Sequence, residues 1–267
     1  MAAFDSRQIE AAAEILCESR IYRHRFDRFP LDLEPADEAR AYAVQGSLHT
    51  RLAGRGWGRL VGHKIGCTTP VMQEYLGIRN PCAGGVFDTT IRRLSGQFTI
   101  PSELRVGVEC EIAVTLGRDL LPSERPVDER TVVEAVESCA AAIEVVEDRY
   151  VDYPSLNAAS LIADDFFGAG CVLGEPQAGF QPQDLGTVKA TMWINGEAVG
   201  SGLGTDVLGD PMKALAWLAN NLIGRGQTLR KGDFVLLGSL VQTTWVKPGD
   251  EVLIRNQPLG EARAIFV

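Results

Sequence analysis

Val106-Gly107-Val108-Glu109-Cys110-Glu111-Ile112-Ala113-Val114 is the stretch on which the reading of this chain turns. It reads as a long, strongly patterned strand. Side chains alternate across a strand, so Val108, Cys110, Ile112 and Val114 face one way and Glu109 and Glu111 the other, roughly 7 Å apart along the backbone. Two carboxylates held that close repel, and burial raises at least one pKa unless something positive stands between them. A divalent cation meets that need. Ligation by oxygen alone favours Mg2+, Mn2+ or Ca2+ over Zn2+, and no cysteine or histidine lies at a matching spacing. The plainer alternative is a solvent-facing edge strand that carries two charges.

Glu144 bears on that choice. It is the single acid in Ala140-Ala141-Ala142-Ile143-Glu144-Val145-Val146, where an unpartnered charge is costly. A salt bridge to Arg149 or another arginine would satisfy it, and so would a place as third metal ligand. Lys64 lies in Val61-Gly62-His63-Lys64-Ile65-Gly66, a glycine-flanked apolar strand. Such a lysine either sits desolvated, where it can move protons, or snorkels from a sheet edge. His63 points to the opposite face of a regular strand, so the two do not act on one atom.

Working outward, the first sixty residues read as helices. Asp5 or Ser6 caps one that carries Ile9, Ala13, Leu16 and Cys17, and Ala41, Val44, Leu48 and Leu52 mark a second that ends at Gly54. Thr69-Pro70 starts a short helix that stops at Gly77. Residues 98–100 and 106–116 follow as strands, and a helix is expected over 128–142 before a strand emerges around Glu144. Residues 169–173, 187–194 with the turn Asn195-Gly196, 234–237, 251–255 and 262–267 read as strands, interrupted by a helix from Asp210-Pro211 to Gly224. The expected fold is therefore α+β: a helical N-terminal region, residues 1–60, followed by a β-rich mixed-sheet roll, residues 61–267, that carries the metal and the catalysis. No GxGxxG or P-loop follows any strand, which argues against a nucleotide enzyme.

Composition sets the outer limits. The 267 residues are 45% apolar and 23% charged, an ordinary globular balance that needs no staple. A net charge of -9 repels nucleic acid. The densest basic stretch, Arg20, Arg23, Arg25 and Arg28, is diluted by Asp27, Asp32 and Glu34 and reads as a solvated loop. Cys17, Cys67, Cys82, Cys110, Cys139 and Cys171 form no CxxC pair and read as buried free thiols. Residues 1–17 lack a signal-peptide core and no window is long enough for a membrane span, so a reducing, cytoplasmic compartment is expected.

In these residues the chain resembles the fumarylacetoacetate hydrolase superfamily, in its 2-oxopent-4-enoate hydratase and 4-oxalocrotonate decarboxylase branch. The matching pieces run in order: Gly62-His63-Lys64-Ile65-Gly66-Cys67-Thr68; Gln73 with Leu76-Gly77; Val108-Glu109-Cys110-Glu111-Ile112-Ala113; Leu116-Gly117-Arg118-Asp119-Leu120; Ala142-Ile143-Glu144-Val145-Val146 with Arg149; Gly232-Asp233; and Pro248-Gly249-Asp250. The resemblance implies that Glu109, Glu111 and Glu144 hold Mg2+ or Mn2+, that Lys64 is the active-site lysine, and that the fold is a β-rich roll in a homo-oligomer. The branch also has a proton-transfer acid after its Gly-x-Leu/Val-Phe segment. Here Gly85-Val86-Phe87 places it at Thr89, with Asp88 one position early as the available carboxylate.

The activity so implied is metal-dependent hydration of a 2-hydroxy-2,4-dienoate, a small 2-oxo acid substrate, to a 4-hydroxy-2-oxo acid in aromatic catabolism. Decarboxylation of a 4-oxalocrotonate-type 2-oxo-enedioate is the nearest rival. Carbon–carbon hydrolysis of an acylpyruvate fits less well, because that group pairs a histidine with a glutamate. An accessory subunit with a structural metal, partnered with a decarboxylase or hydratase, is the reading outside catalysis.

Overall fold

Two long strands set the geometry. In the computed structural model, β5 (Arg105–Leu116) and β6 (Val136–Asp148) pair antiparallel along almost their whole length, with Glu109 opposite Glu144. The structure describes residues 5–123 and 125–267; residues 1–4, the start of the segment read for a signal peptide, and residue 124 lie outside the described residues.

In chain order the elements are α1 (Ser6–Tyr22), α2 (Glu38–Leu52), β1 (Leu60–Gly66), α3 (Pro70–Leu76), β2 (Cys82–Phe87), β3 (Ile91–Arg93), β4 (Ser95–Phe98), β5, α4 (Glu129–Val133), β6, α5 (Ala158–Ala163) and β7 (Gly168–Leu173). They continue with β8 (Lys189–Ile194), β9 (Glu197–Leu203), α6 (Pro211–Gly224), β10 (Phe234–Ser239), β11 (Thr244–Val246), β12 (Glu251–Gln257) and β13 (Gly260–Phe266). Helices thus precede a mixed sheet, as the α+β reading expects. Asp5 caps α1, accepting the Gln8 N–H while its own N–H donates to the Gln8 side-chain oxygen, and Thr69 caps α3 ahead of Pro70.

The described strands form one winding sheet in the order β2-β1-β10-β5-β6-β7-β3-β4-β13-β12-β8-β9, with β11 beside β5. Its two faces have different roles. Val108, Cys110, Ile112 and Val114 of β5 enter the main core together with Leu16, Leu48, Leu218 and Leu222 from the helices. The opposite face of β5, β6, β7 and β10 buries a smaller cluster, Ala113, Ala142, Cys171, Leu173, Phe234 and Leu236, joined by Val86 of β2. Period-two alternation thus sends Glu109, Glu111 and Glu144 to the smaller interior. All six cysteines are buried and unbridged, and no helix among the described residues is long and apolar enough to cross a membrane.

Two expectations need correction. The helix expected over 128–142 is cut short, because α4 ends at Val133 and β6 begins at Val136. Alanines 140, 141 and 142 favour a helix by several tenths of a kcal/mol each. Here they are buried and pair with β5 along their length, Ala142 also with β7, and these ladder bonds outweigh the propensity. Arg20 is not part of a solvated loop. Helix α1 runs on to Tyr22 and carries Arg20 on the same buried face as Leu16 and Cys17.

There Arg20 meets Asp164, which closes α5. The Arg20 Nε lies 2.5 Å from Asp164 Oδ1, Arg149 donates to Oδ2 from Nε and Nη2 at 3.1 and 2.9 Å, and the Tyr150 hydroxyl donates to Oδ2 at 2.8 Å. One buried carboxylate therefore ties α1, the end of β6 and α5 together. Removing it leaves two buried guanidinium groups short of charge, and such a break costs about 3–5 kcal/mol. Asp164→Ala is expected to lower unfolding free energy by that amount in urea titrations, and a loss below about 1 kcal/mol would show that the cluster does not hold the fold.

Candidate metal centre

Because β5 is flanked by β6 on one side and by β10 and β11 on the other, it is an interior strand. That removes the edge-strand alternative for its two acids. Glu109 and Glu144 are directly opposed across the ladder, and Glu111 lies one pleat further on the same face. Each of the three offers a carboxylate oxygen within 4.8 Å of the others. Glu111 and Glu144 are buried and Glu109 is partly so.

The hydrogen bonds leave this group incomplete. Glu111 Oε2 accepts the Gly238 N–H at 2.7 Å, and the Thr243 hydroxyl donates to Glu109. Glu111 Oε1 and both oxygens of Glu144 are buried without a hydrogen-bond partner. Gly238 has φ +125°, and a Cβ there would lie 2.5 Å from Thr68 Oγ1, so only glycine presents that N–H to Glu111.

Lys64 on β1 reaches the same point. Its Nζ is 3.0 Å from Glu144 Oε1, an ion pair not aligned as a hydrogen bond, and it sits 5.6 Å from the centre of the Phe166 ring. Lys64 is 2% exposed, which removes the snorkelling alternative. Burial by itself lowers the ammonium's pKa, but Glu144, Glu109 and Glu111 outweigh it and hold the group above its ordinary value. Burial, with the repulsion of Glu144 and Glu109, raises Glu111 well above the carboxylate range. Glu144 is raised by burial as well, against the pull of Lys64.

When all are ionised, three carboxylates and one ammonium sum to -2 in a place shielded from water. Orphaned carboxylate oxygens, all-oxygen donors and an excess of negative charge fit a hard divalent cation. Cys171, adjacent on β7, adds no thiolate, since burial raises its pKa out of range.

The remaining sequence candidates fall elsewhere. Arg149 is engaged by Asp164 and does not neutralise Glu144. His63 lies on the far face of β1, where burial holds its imidazole pKa down to about 4 and its charged neighbours are His49, Arg225 and Asp165. Asp88 is not brought to the cluster. It sits in a turn after β2, half-exposed, where it accepts the Arg59 N–H at 3.1 Å and pairs with the Arg59 guanidinium. Thr89 hydrogen-bonds Trp57 O, and Thr90 is the residue of this turn that lines the cleft over Lys64 and Glu144.

A second buried group escaped the sequence reading. Asp165 accepts the Gly85 N–H at 2.8 Å and pairs with His49 Nε2 at 2.7 Å and Arg20 at 3.4 Å. Burial opposes its charge, but His49, Arg20 and Gly85 prevail and hold its pKa down to about 2. Asp165, Phe166 and Phe167 all have left-handed backbone, φ 51°, 48° and 67°, a strained run for non-glycine residues. The run lays Phe166 against Lys64 and Gly66. The signal was present in the sequence: two acids close the apolar run Ala158 to Ala163, as Glu144 interrupts its own.

The cleft is walled by Trp57, Phe87, Val86, Thr90 and the Gly168-Ala169-Gly170 backbone, with Arg20, Lys64 and Glu144 at its base. Comparison with known proteins agrees with this architecture. A 2-keto-4-pentenoate hydratase of Paraburkholderia phymatum is 33% identical over 98% of both chains. A 4-oxalocrotonate decarboxylase of Pseudomonas putida is 29% identical over 97% of both. The structure of 4-oxalocrotonate decarboxylase from Pseudomonas putida G7, complexed with magnesium and adipate, superposes with a TM-score of 0.91 at 29% identity over 98% of both chains. Residues 82–267, which hold all three glutamates, match the family described as fumarylacetoacetate (FAA) hydrolase C-terminal, and the chain belongs to that family.

Proposed function

We propose that this protein is a divalent-metal-dependent lyase that hydrates a 2-hydroxy-2,4-dienoate to a 4-hydroxy-2-oxo acid. The observation that carries the reading is the set of buried carboxylate oxygens of Glu111 and Glu144 without a hydrogen-bond donor, beside Glu109 and Lys64, with Lys64 and Glu144 lining a cleft. Full-length similarity to a named 2-keto-4-pentenoate hydratase supports the same reaction.

Glu109, Glu111 and Glu144 would hold Mg2+ or Mn2+. A hard cation there supplies positive charge for the carboxylate and 2-oxo oxygens of the substrate and for the negative charge that builds on them during reaction. The chain's own chemistry centres on Lys64. As an ammonium it gives a proton to the terminal dienol carbon while the enol O–H proton leaves. As the resulting amine it takes a proton from the water whose oxygen adds to the conjugated carbon, and it passes that proton to the carbon beside the 2-oxo group, the released enol proton restoring the ammonium. Glu144 orients the Nζ, and the Phe166 ring covers its other side and excludes bulk water. The catalytic unit is assigned to residues 61–267, with residues 5–60 adding Arg20 and Trp57 to the cleft.

Decarboxylation of a 2-oxo-enedioate is the second reading, favoured by the close superposition on the decarboxylase. It uses the same cation and the same lysine. Unbridged buried cysteines fit a cytoplasmic enzyme. A homo-oligomer, with or without a partner lyase subunit, completes the proposal.

Incubating Mg2+-loaded protein with 2-hydroxypenta-2,4-dienoate is expected to deplete dienol absorbance without release of CO2. Glu109→Gln is expected to lose turnover and to weaken Mn2+ binding by more than the roughly 100-fold seen for outer-shell partners. A metal-free variant with full activity would end the proposal. Lys64→Met is expected to lower kcat about 100- to 10,000-fold with Mn2+ binding retained in calorimetry. Loss of both together would instead make Lys64 a structural counter-charge. Stability supplies a test with opposite signs. Without divalent metal, Glu111→Gln keeps an acceptor for Gly238 and removes a carboxyl that folding must either bury charged or protonate, so its melting temperature is expected to exceed wild type by a few degrees. At 100-fold excess of Mg2+ over its Kd the wild type gains about 2.7 kcal/mol, on the order of 5 °C or more, and Glu111→Gln gains little. A single order of stability under both conditions would contradict metal binding at this cluster.

A further inference from the structure

Lys64 must bring its Nζ to one place beside Glu144, yet its four-carbon stem is flexible by itself. The backbone of Asp165 confines that stem. Gly84 pairs with Lys64 in the β1–β2 ladder, and a Cβ there would stand 2.9 Å from Asp165 O and 3.2 Å from Lys64 Cγ. At Gly168 a Cβ would stand 3.1 Å from Asp165 O and 3.6 Å from Lys64 Cε. Asp165 thus walls the stem along its length. Phe166 closes the end, since a Cβ at Gly66 would stand 3.4 Å from the Phe166 ring and 3.6 Å from Lys64 Nζ.

A histidine of α2 holds Asp165 in that place. We infer that His49 is a positioning residue for Lys64, acting through the Asp165 carboxylate to keep Nζ in line for proton transfer. The inference rests on the role proposed above for Lys64 and extends the catalytic unit into the helical region that precedes β1.

His49 Nε2 lies 2.7 Å from Asp165 Oδ1, and the Gly85 N–H donates to the same oxygen at 2.8 Å. Asp165 is buried and, with a pKa of about 2, stays ionised at neutral pH, so it has no proton to give. The hydrogen of the contact therefore belongs to Nε2, and the bond is charge-assisted whether or not the imidazole carries a second proton. Gly85 makes room for it, because a Cβ there would stand 2.6 Å from His49 Cε1. The imidazole is itself fixed, edge-on to Phe87 with ring centres 5.6 Å apart.

No other contact does the same work. Arg20 approaches Asp165 Oδ2 at 3.4 Å without hydrogen-bond alignment, and among the described residues Oδ2 has no hydrogen-bond partner. Arg20, Arg149 and Tyr150 fix Asp164, one residue earlier. Residues 165–167 then pass through three left-handed conformations, which persist only where surrounding contacts over-determine them. His49 and Gly85 supply such contacts at the first of the three. Among the described residues that line the cleft, neither His49 nor Asp165 appears, so the pair acts on substrate through the lysine and not directly.

The test uses full-length, Mg2+-loaded protein carrying lysine labelled with 13C at Cε. Lys189, Lys213, Lys231 and Lys247 are exposed, whereas Lys64 Nζ stands 5.6 Å from the centre of the Phe166 ring. Lys64 is therefore expected to give a signal displaced from the rest, which Lys64→Met removes. His49→Ala is expected to move that signal toward the exposed lysines. It is also expected to lower kcat on 2-hydroxypenta-2,4-dienoate about 10- to 100-fold, with KM and Mg2+ affinity changed by less than about twofold. His49→Gln, whose amide N–H can reach the carboxylate, is expected to restore most of both. In a Lys64→Met background His49→Ala is expected to cost nothing further. An unmoved signal or an unchanged kcat in folded His49→Ala protein, or an equal loss in the Lys64→Met background, would overturn the positioning role. The two proposals fail separately. A Lys64 signal that follows His49 in a protein that turns over no dienoate refutes the lyase reading alone, whereas turnover by wild type with a signal indifferent to His49 refutes the positioning role alone.

Discussion

The rest of the structure depends on keeping Glu109, Glu111 and Glu144 around one point although they repel one another. At the 4.8 Å that bounds their oxygens, each like-charged pair is opposed by about 3–4 kcal/mol at an effective dielectric of 20. Lys64 offsets part of this and cannot offset all of it. A loop would relax away from such a load. Here the ladder resists, because Glu109 and Glu144 are fixed in register by β5 and β6, and both strands are held from their outer sides by β10, β11 and β7. Gly238 then fixes one oxygen of Glu111, and Thr243 one of Glu109.

A few residues away, the Asp164 and Asp165 cluster is as deeply buried and behaves differently. Two carboxylates there face Arg20, Arg149 and His49, with the Tyr150 hydroxyl and the Gly85 N–H supplying further donors. Asp165 is driven below its ordinary range, whereas Glu111 and Glu144 are driven above theirs. Burial is common to both, so counter-charge decides the outcome. The compensated cluster secures α1 and α5 to the sheet and holds the left-handed turn that places Phe166 on Lys64. The uncompensated one has the charge and the donor atoms that a cation would need.

Legibility in the sequence followed the same division. The acids of β5 could be assigned to one face because strand alternation is local, and Glu144 declared itself as one charge in an apolar run. Capping residues and Pro70 placed α3, and Asp210-Pro211 placed α6, for similarly local reasons. What stayed hidden was settled by distant partners. Arg20 looked like one of four diluted arginines until the buried face of α1 met Asp164, 144 positions on. The Ala140–Ala142 run looked helical until β5 paired along it and β7 at its end. Asp88 matched a position in a sequence register, but its direction was set by the turn after β2 and by Arg59, neither visible from spacing.

The hydration and decarboxylation readings share every group around the cation, so the contents of the cleft must separate them. Among the described residues that line it, the ionisable side chains are Arg20, Lys64 and Glu144. Arg20 is held by two aspartates and Glu144 faces the ammonium, while the Thr90 hydroxyl is spent on Phe87 O at 2.8 Å. On the proposed reading Lys64 is therefore the proton carrier available to substrate. One carrier suffices for hydration only if donation to carbon and acceptance from water occur in sequence, so that each step restores the state the next requires. Decarboxylation needs the donation alone. A water positioned within reach of Lys64 Nζ once substrate is bound is thus the physical difference between the two proposed reactions, and the neighbouring cleft walls are Val86 and Phe87 rather than a second acid.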